Sequence, residues 1–299
     1  MKNIPTTNIQ KLNSKTKGVT LAILGAILMS FDPIYIRFSG VSGFNTIFLF
    51  GLFTAISMSI VVQTSEKRSI IQVIKSDGWP LIISSLLMLG SASSFVLSIK
   101  NTSIANTFII QGATPAVVSL LSWIILKEKT NRKTWLAIFL VVLGVIIVVN
   151  GSFGTGNWKG DLLALVSVFC VGLIFTILRK YPSVNRLALV GLGGFFMALV
   201  MFFFSEPSNF STNTWLVMAA MGLLTAPLGR ALGMKSVRFI KASEASLTLK
   251  LQNVLAPVLA FIFFNEIPNR DSLIGGIIIL ATITLYTISL IRESKTHKK

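Results

Sequence analysis

Histidine, cysteine and acidic side chains are nearly missing from this 299-residue chain, and each shortage removes a class of function. With Cys170 as its single cysteine, the chain cannot be a disulfide-built secreted domain. The single histidine, His297, stands in the C-terminal tail, so no resident metal or cofactor is expected. Charged residues make up only 12% of the chain, against roughly a quarter in soluble domains. Hydrophobic residues make up 53% and the mean hydropathy is +0.78. So few charges cannot cover so much apolar surface in water. Disorder needs low hydrophobicity, the opposite of this composition. The chain reads as a multi-pass membrane protein.

A helix crossing the hydrocarbon core needs about 20 mostly apolar residues. Ten such runs are expected, at 18–38, 43–63, 78–99, 103–126, 134–150, 160–180, 185–205, 213–234, 243–264 and 272–291. The apolar stretch after Lys17 resembles a signal peptide, but no small-x-small cleavage site follows it and Asp32-Pro33 interrupts it. It is read as a retained first helix.

The excess of 27 Lys+Arg over 10 Asp+Glu would suggest nucleic acid on a soluble protein. Here the distribution decides. Counted by side, with Arg230 and Lys250 set apart as lying within helices, 21 lie in or beside the segments on the side of the two termini. Only Arg37, Lys100, Lys159 and Arg270 lie on the other. Basic loops stay cytoplasmic, so both termini are expected in the cytoplasm, with the protein in the cell (inner) membrane and no nucleic-acid partner.

The sequence repeats internally. Glu128, Asn131 and Arg132 recur as Glu266, Asn269 and Arg270, each at an offset of 138, and each group leads into an apolar helix. Thr102 to Ala105 is echoed by Ala242 to Ala245 after a two-residue shift. Five spans in the first half is an odd number, so the second copy must lie upside down. The fold class expected is therefore all-α integral membrane, with ten transmembrane helices as two inverted five-helix repeats. The divisions are a tail at 1–17, repeats at 18–150 and 160–291, a linker at 151–159 and a tail at 292–299. Inverted repeats are an architecture of carriers that rock around a midplane site.

The run from Asn106 through Glu128 into Val149 has an alanine-rich approach, Pro115, an apolar stretch and a Leu126-x-Glu128 ending. On those residues the chain resembles the drug/metabolite transporter superfamily, in its ten-helix EamA-type branch, over roughly 18–291. The second copy departs from the pattern: Asn253 stands where the family has proline, and the proline comes one turn later, at Pro257. Lys250 is not a general family feature either. The resemblance implies a metabolite carrier, exporting amino acids or related solutes.

Ionisable residues inside a span cost about 2.5–3.5 kcal/mol on insertion scales, so each needs a reason. Ser246, Lys250, Asn253 and Pro257 would share one face of a continuous ninth helix. Lys250 there either meets an anionic substrate group or pairs with Asp32. Asp32, beside Pro33, either binds an amine or a proton or is simply hydrated near the outer interface. Thr107, Gln111 and Thr114 form a second wall or a hydrogen-bonding seam. Arg230 is read as a contact for headgroups or an inner-gate carboxylate. Glu128 and Glu266 are structural groups at helix ends, capping or pairing with Arg132 and Arg270, and Pro115 and Pro257 are gate or structural positions. Ser84, Ser91 and Ser98, with Gly90, and the pair Gly229 and Gly233 read as close helix packing.

The leading function is a secondary active transporter of a small organic metabolite working by alternating access. The alternatives are an anion exchanger for phosphorylated metabolites, using Lys250, and a non-transporting scaffold or channel. The glycine-containing stretch at 151–160 lacks the Walker order, so ATP is not the direct energy source. An enzyme would need an acid–base or nucleophile cluster at membrane depth. The partners expected are a small-molecule substrate, membrane lipid and a coupling proton, on a monomer or homodimer.

Overall fold

A computed structural model describes residues 6–66, 68–128, 131–153, 156–236, 239–240, 245 and 248–296, and these are all-helical. In chain order the helices are α1 (Thr6–Ser30), α2 (Asp32–Phe38), α3 (Gly43–Glu66), α4 (Ile70–Asp77), α5 (Trp79–Asn101), α6 (Ile104–Gln111) and α7 (Thr114–Leu126). There follow α8 (Arg132–Phe153), α9 (Trp158–Lys180), α10 (Arg186–Phe202), α11 (Thr212–Ala219), α12 (Ala226–Ser236), α13 (Gln252–Phe264) and α14 (Arg270–Thr296). Among the described residues, seven stretches are long and apolar enough to cross a membrane, and α10 and α13 are shorter apolar helices.

Several runs expected to be continuous are broken. The first divides at Phe31, the fourth at Gly112-Ala113, and the ninth at Lys250-Leu251. Ala113 N–H bonds Ile110 O (2.9 Å), while Ala116 and Val117 N–H both bond Ala113 O (3.0 and 3.2 Å). Leu251 N–H bonds Thr248 O (3.1 Å), while Val254 and Leu255 N–H both bond Leu251 O (3.0 and 2.9 Å). All three bonds recur at an offset of 138, and the same pattern surrounds Phe31. Proline explains two of these breaks, since Pro33 and Pro115 stand in the first turn of the helices that restart. The third has no such proline, because Pro257 lies inside α13. The eighth run is interrupted differently, by a wider π-type turn over Ala220–Thr225.

The loop expected between the second and third spans contains α4. Ser69 accepts from Gln72 N–H (3.3 Å) and the Gln72 side chain accepts from Ser69 N–H (3.0 Å), a capping box that starts the helix.

Packing maps onto itself when the two halves are exchanged. The third helix packs on α10 and α8 on α14; α5 on α9 mirrors α12 on α1. Within the α3–α10 and α8–α14 pairs the two helices run antiparallel. Along α3 and α10, Phe44 meets Phe204, Phe48 meets Phe202, and Gly51 meets Met197. Along α8 and α14, Thr134 bonds Tyr286 (2.9 Å), Gly144 abuts Gly275, and Gly151 O accepts from Asn269 (3.0 Å). Glycines let these backbones touch: a Cβ on Gly51 would lie 2.7 Å from Gly194 O, and one on Gly275 2.5 Å from Gly144 O. Gly229 packs the same way on Gly25.

The repeated sequence motif has a structural meaning. Lys127 and Asn265 end α7 and α13 in the left-handed conformation, with φ of 54° and 52°. Four residues on, Asn131 accepts from Thr134 N–H (2.8 Å) and Asn269 from Ser272 N–H (2.6 Å), capping the next helix. The motif joins a left-handed C-cap to an asparagine N-cap.

Candidate functional site

The three broken helices converge on a cavity of about 180 Å³. Irregular backbone at membrane depth is tolerated where it is buried in protein or lines a cavity, because its unpaired groups need polar partners. Its charged and amide lining comes from both halves: Asp32 at the start of α2, Gln111 at the end of α6, Arg230 on α12, and Lys250, Gln252 and Asn253 around the ninth-run break. Apolar residues such as Met88, Phe95, Phe108 and Met221 complete the wall.

Each charged group has distinct surroundings. Asp32 is 8% exposed and accepts a long bond from Thr225 in the π-type turn (3.4 Å). Arg230 is close enough to act electrostatically on it, and the Arg230 Nη1 atom is buried without a hydrogen-bond partner. Lys250 lines the cavity with an accessible side chain. No ion pair within 4.0 Å joins it to Asp32. A structural Asp32–Lys250 pair is therefore not what this structure contains. The lysine also lies on the turn between helical segments, so a shared helix face with Asn253 and Pro257 is not formed. Ser246, the fourth member of that face, lies outside the described residues.

The expected second wall is divided. Gln111 reaches the cavity with its Nε2 donating to Ser167 Oγ (2.9 Å). Thr114 turns back onto Gln111 O (2.6 Å), and Thr107 is buried against Ser98 (2.8 Å). Arg230, expected at headgroups or an inner gate, lies instead in the cavity wall. Ser91, read as packing, faces the cavity and bonds Ser167 (3.3 Å). Sequence reasoning missed Ser167, which no ionisable neighbour or motif marks.

Glu128 and Glu266 pair across the fold rather than with the adjacent Arg132 and Arg270. Glu128 meets Arg179 at 2.8 Å and Glu266 meets Arg37 at 2.7 Å. Helix geometry explains the difference. Arg132 and Arg270 begin the next helix and follow the Asn cap, whereas Arg179 and Arg37 close α9 and α2 beside the glutamates.

The model of the EamA-like transporter family matches the chain twice, over residues 16–150 and 158–288. The uncharacterized transporter YyaM of Bacillus subtilis is 26% identical over 264 residues, 84% of this chain and 86% of that protein. An uncharacterized transporter of Archaeoglobus fulgidus is 21% identical, over 90% of this chain and 95% of that one. Mouse solute carrier family 35 member G1 is 22% identical, over 91% and 78%. A solved crystal structure superposes with a TM-score of 0.61 at 15% identity, covering 92% of this chain and 98% of that chain, which is a likeness of fold.

Proposed function

As the chain belongs to the EamA-like transporter family, and so is a multi-pass membrane transporter and not an enzyme, we propose that it is a secondary carrier holding a small organic solute in the central cavity. One observation carries this reading: a single cavity, formed by elements of both halves, gathers Asp32, Arg230 and Lys250 with the amides of Gln111 and Asn253. Cations beside a carboxylate suit a zwitterion. Its acid group meets Lys250 or Arg230, its ammonium meets Asp32, and the amides orient it. Phe95, Phe108 and the methionines accept an apolar body. Amino acids or related solutes fit, moving outward, with Asp32 also the candidate carrier of a coupling proton.

Ten spans in two inverted repeats, 18–150 and 160–291 joined by a linker at 151–159, are supported by the antiparallel pairing of equivalent helices and by the breaks repeated at 138. The halves rock around the cavity. The charge distribution supports cytoplasmic termini in the cell's inner membrane.

A second reading, exchange of phosphorylated metabolites, is favoured by the two cations facing one carboxylate. Counter-exchange in proteoliposomes separates the two. Labelled amino acids accelerated by amino acids on the far side support the first, and phosphorylated metabolites accelerated by phosphate support the second. Absence of saturable, trans-accelerated flux with either set would sink the carrier reading.

A further inference from the structure

The two glutamate–arginine pairs occupy equivalent places but are not equally buried. Arg37 and Glu266 are 27% and 17% exposed, whereas Arg179 and Glu128 are 61% and 37% exposed. The first pair is also tied into its surroundings. Arg37 Nη2 donates to Thr102 O (2.8 Å), and Glu266 Oε2 accepts from Ile104 N–H at the start of α6 (2.9 Å). Thr102 in turn donates to the buried Asp161 (2.6 Å). Lys100 donates to Ser39 Oγ and Val41 O, and Thr214 to Ser39 O, fastening the end of the first run to α5 and α11.

Along four elements the order from the cavity outward is the same. On the first run it is Asp32, then the buried Ile34 and Ile36, then Arg37. On α5 it is Ser91, then Val96 and Ile99, then Lys100. On α6 it is Gln111 and Phe108, then Ile104, whose N–H meets Glu266. On α13 it is Asn253, then Ala256 and Ala260, then Glu266 beyond the cap. The cavity is closed at this end by an apolar plug and, above it, by an ionic latch. The equivalent pair at the other end carries its charges in the open.

We propose that Arg37–Glu266 and Arg179–Glu128 are the ion pairs of the carrier's two gates, buried in alternation, and that this structure holds the Glu266 end shut with its pair buried while the Glu128 pair, though formed, stays exposed. When the halves exchange roles, the repeat requires the Glu128 latch to become the buried one and the Glu266 latch to open. This rests on the carrier reading, but its test needs no substrate.

A Cys170→Ser, Ser91→Cys protein in proteoliposomes is labelled from the Glu266 side with a small impermeant methanethiosulfonate. The rate reads the population open to that side. Glu266→Gln should raise it about tenfold, equivalent to about 1.4 kcal/mol. Glu128→Gln should lower it at least ~3-fold by the same linkage. Reversing the pair, Arg37→Glu with Glu266→Arg, should bring the rate below that of Glu266→Gln but not fully to the parent, because the bonds to Thr102 O and Ile104 N–H are lost. If Glu266→Gln does not fold, Arg37→Lys, which keeps the charge but loses the planar fork, should also raise the rate. Changes of the same sign at Glu266 and Glu128, unchanged rates, or no recovery on reversal would overturn the proposal. Unchanged labelling with intact counter-exchange removes the latches and leaves the carrier. Opposed shifts without flux keep the latches and remove the solute reading.

Discussion

Adding one methyl group at Gly275 should destabilise the protein without touching its cavity. An alanine Cβ there would lie 2.5 Å from Gly144 O and 2.6 Å from a Val148 methyl, and one of these neighbours is backbone. Ordinary contact begins near ~3.5 Å, so α8 and α14 must part by about 1 Å. A gap of that size forfeits roughly a quarter to a half of each contact well along the seam. Overpacking of this kind costs about 1–3 kcal/mol, and replacing helical glycine with alanine returns about 1 kcal/mol. Because the closest neighbour is backbone and cannot yield, the cost falls at the top of that range, so the net loss expected is about 2 kcal/mol, or a fall in Tm of about 5 °C. Gly90→Ala is the control, since its Cβ meets only the Cys170 sulfur at 3.3 Å and that side chain can yield. Cys170, half-buried and the only thiol, allows a thiol-reactive fluorophore to follow melting of the purified protein. Neither α8 nor α14 contributes to the cavity lining, so solute affinity should be unchanged. A Gly275→Ala protein that melts within a degree of the parent would refute the close backbone approach.

Lys250→Met should fold normally, because the lysine has an accessible side chain and no ion pair with Asp32, yet lower flux of anionic or zwitterionic solutes about tenfold. Lys250→Arg should retain part of that flux, and normal flux in the Met variant would make Lys250 a bystander. Asn131→Ala and Asn269→Ala should each cost about 1 kcal/mol, measured by thermal melting, and their distance makes the costs add. An unchanged melting temperature in either would deny that asparagine its capping role. Cysteines at Asn157 and Arg132, in a Cys170→Ser background, should react with impermeant reagent from outside and inside respectively, and the reverse pattern would invert the topology.

Much of the frame was legible because it depends on one-dimensional properties. The apolar runs report which segments are long and apolar enough to cross a bilayer. The Glu-x-x-Asn-Arg repeat was visible because a C-cap and the N-cap that follows it are local geometry, needing particular residues at particular spacings. The helix α4 was legible as well, through Ser69 and Gln72, but the charge-rich stretch around it read as loop. Asp32, Gln111, Lys250 and Asn253 drew attention because polar groups are expensive at membrane depth, and the cavity gathers all four.

Other features were decided only by packing. Whether Arg230 reaches lipid headgroups or a cavity depends on how α12 is rotated against α1, which no local pattern encodes. The break at Lys250-Leu251 has no proline in the turn that restarts, so no local residue marked it. Partner choice is the clearest case. Glu266 and Arg37 are distant in sequence, and salt bridges act at contact distance, so the bond exists only once α2 and α13 are packed. Sequence alone determined which segments prefer the membrane and which motif is duplicated, because transfer energy and capping are summed residue by residue. Tertiary structure decided which charges meet and which polar groups line the cavity, because those depend on distances that only the packed helices set.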